Sequence, residues 1–213
     1  MKFSTLFVLL MLSAIALRGQ SDEPAGALTI YTRFAHPPSP LSIGYMKTEL
    51  DAIMLPFNLR FDWRALEAAS GSEAVAEIVV VSFKGACLAD TLIHWEPSAH
   101  MLGSTHIADG RILPFADVDC DRIRELMVSS LAPASPQERE RLLGHAMARV
   151  LAHELYHFLA HTTKHASAGI AKASYTGNEL AAGVLRFDEA QLRSVREKDA
   201  GRTLAAAPIG AGF

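Results

Sequence analysis

Residues 152–172 read AHELYHFLAHTTKHASAGIAK and hold four of the chain's nine histidines. Within them His153-Glu154-Leu155-Tyr156-His157 is an HExxH. On a helix, a spacing of four puts both imidazoles on one face with their roots ~6 Å apart, so their nitrogens can converge on one ion. Glu154 is rotated ~100° from His153 and flanks the ion's open side. There it can take a proton from an activated water and deliver it to a leaving amine. Upstream, Leu142, Leu143, Met147, Val150, Leu151, Leu155 and Leu159 form an apolar stripe at helical spacing. The pattern predicts a long helix over about 136–162, with Ser135 as N-cap and Pro136 at its first position.

A catalytic zinc takes three protein ligands and keeps one position open. His161 continues the four-residue row but lies ~12 Å along the axis from His153. It can join the other two only if the helix breaks. His165 follows Thr162-Thr163-Lys164, where the chain is free to turn back, and is taken first. Glu179, in the later stretch TGNEL, and His161 stay open as alternatives. Tyr175, beyond the turn, is either an oxyanion donor or an ordinary packing tyrosine.

Before this helix the chain reads as strands. ALTIYTRF predicts a strand over 28–34. Helical spacing of Leu41, Tyr45, Leu50, Ile53 and Met54 predicts a helix over 40–55, ending before Pro56. LRFDWRAL alternates as a half-buried strand, and the uniformly apolar AEIVVVSFKG predicts a central strand near 77–84. Two short strands flank Asp109-Gly110, a hairpin signal, with Pro114 confined to an edge or a bulge. Asp121–Leu131 reads as a short helix. After the break at Gly169, TGNEL opens another helix with a capping box, and a last one starts near Asp188. The order describes an α+β fold, with one sheet of four to five strands packed on the long helix. His106 and Asp109 at the hairpin read as turn chemistry beside an edge that could align a peptide. His145 reads as a half-buried helix residue, and His36, His94 and His100 have no partners at ligand spacing.

The first 20 residues, MKFSTLFVLLMLSAIALRGQ, have the basic start and apolar core of an export signal, with a retained anchor as the alternative. Residues 21–213 then form one domain. Loss of Lys2 and Arg18 takes the formal charge from −3 to −5. The chain has no Lys/Arg cluster, so the expectation is no nucleic-acid partner, and no span crosses a membrane in the mature chain. In an exported protein, Cys87 and Cys120 read as one disulfide, with two buried thiols as the alternative. The expected location is secreted or periplasmic.

The segment HELYHFLAHTTKHASAGIAK resembles the zinc-binding stretch of the metzincin clan of metallopeptidases, HExxHxxGxxH followed by a tight turn carrying Met. His153, Glu154 and His157 match directly. Ala160 stands at the clan's Gly, Thr163 at its third His and Ala171 at its Met. The stretch looks closer still to a set of exported bacterial proteins with the pattern HExxHxLxxTxxHxxxG(L/I)(M/A)(K/R), which THIADGRILPF and VDCDRIR also resemble. There the later His, His165, fills the third place. The resemblance implies a metzincin-like single domain and an exported peptidase using one Zn2+, with His153, His157 and His165 as ligands and Glu154 as base and acid. Its partner would be a peptide or protein substrate, cut internally rather than from an end. The alternative is a catalytically inactive, zinc-stabilised binding or inhibitory module of the cell envelope; a metal-free envelope protein is a third reading. Oligomeric state is left open.

Overall fold

The computed structural model describes residues 26–71, 77–90 and 101–206. The expected export segment, His94 and His100 lie outside the described residues. The strands are β1 (Gly26–His36), β2 (Leu59–Ala65), β3 (Glu77–Ala86), β4 (Gly103–Ala108) and β5 (Arg111–Asp119). They form one sheet in the order β2-β1-β3-β5-β4, in which only β4 runs antiparallel to its neighbour. The uniformly apolar strand is central, as its composition requires. Asp109 and Gly110 both adopt positive φ (51° and 71°), the backbone a two-residue hairpin turn needs. Pro114 falls where the β4–β5 register shifts, so the strand keeps both neighbours while the residue without an N–H sits in a bulge.

Helices α1 (Pro40–Met54) and α4 (Pro136–Ala160) share a core with the sheet, in which Leu28, Ile30, Val81, Phe83, Leu50 and Leu151 are fully buried. Each helix opens on a serine followed by proline. Ser39 accepts from the Ser42 amide at 3.1 Å, and Ser135 accepts from the Glu138 amide at 3.3 Å. Glu140 on α4 receives the Ser39 and Ser42 hydroxyls, both at 2.5 Å, which pins the two helix starts together. One turn on, a Cβ on Gly144 would lie 2.6 Å from the Ser42 carbonyl oxygen. The helices therefore approach backbone to backbone.

The expected helix over 121–131 is two pieces, α2 (Cys120–Leu126) and α3 (Val128–Leu131), broken at the buried Met127. The break lets Gly177 approach the Leu126 carbonyl so closely that a Cβ there would come within 2.1 Å. Gly177 starts α5 (Gly177–Ala182), which opens on the expected Thr176/Glu179 capping box. Among the described residues the last helix is α6 (Glu189–Ala206). A disulfide joins Cys87, just past β3, to Cys120 at the start of α2. Among the described residues no helix is long and apolar enough to cross a membrane.

Gly144→Ala trades about 1 kcal/mol of helix propensity for an overlap with Ser42 that costs about 1–3 kcal/mol. Gly144→Leu removes any balance and lowers the thermal midpoint by several degrees. Calorimetry of both variants beside wild type checks this, and an unchanged midpoint in Gly144→Leu would mean the helices do not meet as described.

Candidate metal centre

Helix α4 ends at Ala160 rather than near 162, because His161 adopts the left-handed conformation (φ 45°, ψ 46°) and closes it. That reversal falls one residue after Ala160, where the resemblance puts the clan's Gly, and it carries the chain back over the helix end. His165 then arrives beside His153 and His157, with ring centroids 5.1 and 4.9 Å from theirs. One ring nitrogen from each of the three lies within 4.8 Å of the others. His161 is exposed and outside this group, its ring centroid 6.3 Å from that of Phe158. Glu179 is committed to its cap: it accepts from the Thr176 amide at 2.8 Å and pairs with Lys172. The Lys172 and Thr176 hydrogen bonds hold its carboxyl down at about 2.

Backbone carbonyls orient the two helical imidazoles. His153 Nδ1 lies 2.8 Å from the Ile170 carbonyl oxygen, and His157 Nδ1 lies 2.6 Å from that of Thr162. A carbonyl only accepts, so each Nδ1 carries the proton and each Nε2 is left with a bare lone pair. Those two Nε2 atoms face each other at 3.0 Å. Two lone pairs at that distance repel unless a cation lies between them. A tetrahedral zinc with bonds of ~2.05 Å would hold such nitrogens ~3.3 Å apart, so the arrangement suits the ion. Burial also pushes His153 down to about 4 and His157 in the same direction, which keeps both imidazoles neutral and able to donate.

The turn beneath the rings depends on Gly169, whose φ is 72° and whose Cβ would lie 2.5 Å from the Arg186 carbonyl oxygen. Ile170 and Ala171 are fully buried below it, and a bridge between Ala166 and Lys172 closes the loop. Ala171 thus occupies a packed position at the place of the clan's Met. The Tyr175 hydroxyl donates to the Ile170 carbonyl and lies 3.2 Å from His153 Nδ1, behind the imidazole.

Glu154 faces β4. The Thr105 hydroxyl sits 2.7 Å from its Oε2, and a Cβ on Gly103 would lie 2.7 Å from its Oε1. Burial pushes Glu154 up to about 7, against the lowering effect of the Thr105 hydrogen bond. The three histidines and Glu154 open into a cavity of about 490 Å3 bounded by β4. Thr105, Thr162 and the Ile170 carbonyl are the functional groups that sequence reading missed. At the hairpin it singled out His106, which pairs with Asp117 at 2.9 Å, and Asp109, which makes the turn. His145 lies within reach of Arg141, and His36 of the Gly85 carbonyl.

This fold is shared with a solved structure. Archaemetzincin from Methanopyrus kandleri superposes with a TM-score of 0.51 at 10% identity, over 86% of this chain and 99% of that one. The expectation of a metzincin-like α+β domain is met at the level of fold. No protein-family model and no curated protein matches the chain. The narrower likeness to exported bacterial proteins gains no support from these comparisons.

Zinc titration of the purified protein tests the ligand set. His165→Ala should lower affinity at least ~100-fold, while His161→Ala and Glu179→Ala stay within about ten-fold of wild type. A large loss in either of the latter two would displace His165 from the third position.

Proposed function

We propose that the protein is an exported zinc-dependent peptidase that cuts peptide bonds within a chain. The observation that carries this reading is the offset of Glu154 from three converging imidazoles. It is buried at the same cavity wall, it is not aimed into the ligand cluster, and a hydroxyl from the neighbouring strand holds it. A purely structural zinc site has no use for such a carboxylate, so its placement favours an enzyme over an inactive binding module.

His153, His157 and His165 would hold the ion. Zinc held there supplies Lewis acidity, acidifying water and polarising a substrate carbonyl. Glu154 accepts the proton of the attacking water at a carboxylate oxygen and returns it to the nitrogen of the leaving amine. The Thr105 hydroxyl keeps that carboxylate turned toward the cleft through both transfers. Among the described residues β4 is the terminal strand of the sheet, and an extended substrate pairing along its outer side would hold a peptide bond alongside Glu154. The cleft continues past Glu154 toward both ends of β4, which suits the interior of a chain. Export is supported by the N-terminal sequence and by the Cys87–Cys120 disulfide, a bond that persists in oxidising compartments.

The test uses zinc-loaded protein and a broad set of quenched peptides. Chelation should abolish cleavage and added zinc restore it, and Glu154→Gln should bind zinc normally while losing about 10³-fold or more in turnover. Undiminished cleavage by that variant removes Glu154 from the mechanism. One tightly bound zinc without cleavage of any peptide would instead favour the binding module.

A further inference from the structure

Glu154 presents two carboxylate oxygens, and β4 treats them differently. Residues 103 and 105 alternate along β4 and so share the face turned to α4. Thr105 meets Oε2: its hydroxyl lies 2.7 Å from that oxygen and 3.2 Å from the Glu154 backbone carbonyl oxygen. Gly103 meets Oε1, and a Cβ there would lie 2.7 Å from it. Among the described residues Oε1 accepts no hydrogen bond, and it is left open to the cavity.

The same Cβ would lie 2.8 Å from Val150 Cγ1 and 3.0 Å from the Asp117 carbonyl oxygen. These three neighbours differ in how far they can yield. The Asp117 carbonyl belongs to β5, which is paired on both sides, with β3 and with β4. Val150 is β-branched on a helix and has one favoured rotamer. The carboxylate is the end of a flexible side chain, held there by a single hydroxyl. A methyl group at position 103 would therefore displace the carboxylate first. Gly103 lies outside the positive-φ glycines, so what it supplies is space and not an unusual backbone. Glycine weakens a strand interior and marks a point of close approach. Here the approaching group is the Glu154 carboxylate.

We propose that Gly103 is a positioning residue that, with Thr105, sorts the two oxygens of Glu154 so that Oε1 carries the proton. This rests on the peptidase reading above and deepens it. Thr105 donates to Oε2 both before and after the transfer. An O–H bond of water breaks as the Oε1–H bond forms. That bond then breaks in turn, as the proton passes to the nitrogen of the departing amine. The bare Gly103 leaves Oε1 its place at the cleft throughout.

Two measurements on zinc-loaded protein test this. In the first, Gly103→Ala should lower kcat for quenched peptides about 10²-fold, with KM and zinc affinity within about three-fold of wild type. Thr105→Val should lower kcat in the same way, and Thr105→Ser should keep most of it. The second needs no turnover: thermal midpoints close a double-mutant cycle over positions 103 and 154. Gly103→Ala should lower the midpoint in wild type and shift it about half as much or less in Glu154→Ala, with less relief in Val150→Ala. If Gly103→Ala alone does not fold, folding regained with Glu154→Ala supports the proposal, and folding not regained that way overturns it. Unchanged kcat in Gly103→Ala, a loss carried by KM or by zinc affinity, or equal midpoint shifts with and without the Glu154 side chain would also overturn it. No cleavage by wild type, together with the expected midpoint cycle, would sink the peptidase reading while leaving Gly103 as the seat of Glu154.

Discussion

Two bare imidazole nitrogens 3.0 Å apart set the terms for everything around them. Left alone they repel, and the chain nevertheless builds them in. Two carbonyls, from Ile170 and Thr162, take the opposite nitrogens and leave each ring no other orientation. Both carbonyls come from the segment that returns after α4. The reversal at His161 and the turn at Gly169 therefore serve the same end, since each places one of these acceptors. The low basicity that burial gives His153 and His157 points the same way, because a protonated ring could not share the space with its neighbour.

The scaffold behind this arrangement is held by polar contacts at a few buried points. Arg149, one turn before His153, reaches Glu49 on α1 at 2.8 Å and the carbonyls of Glu179 and Leu180 on α5 at 2.9 and 2.8 Å. A single guanidinium thus ties three helices together behind the site. A buried pair of this kind adds little net stability, but losing one partner strands a charge, so it specifies the arrangement more than it strengthens it. The α1–α4 contact does the same by shape, through the absence of a side chain at Gly144.

Much of this was legible from residue spacing. The helical pair, the carboxylate beside it, the Asp109-Gly110 turn, the central apolar strand and both serine–proline helix starts follow from local rules that act within a few residues. The Thr176/Glu179 box was equally local, and reading it as a cap correctly competes with reading Glu179 as a ligand. What could not be read depends on tertiary approach. Thr105 meets Glu154 across 49 positions of chain, and no pattern within a strand marks which threonine will do so. Backbone carbonyls carry no sequence signature at all. The split of α2 from α3 was hidden for a similar reason: the residues run on as a helix, and the interruption at Met127 is explained only by α5 packing against Leu126. Helix α4 ends two residues before the expected boundary, since a histidine in the left-handed region is uncommon and nothing nearby announces it.

The three histidines occupy only 13 positions of chain, His153 to His165, whereas Glu154 gains its hydroxyl partner only once β4 has docked on α4. The ligand set is therefore a local property of one helix and its return loop, whereas the setting of the carboxylate belongs to the whole sheet. A disturbance confined to the edge strand would leave the chelating loop intact and strip Glu154 alone of its partner.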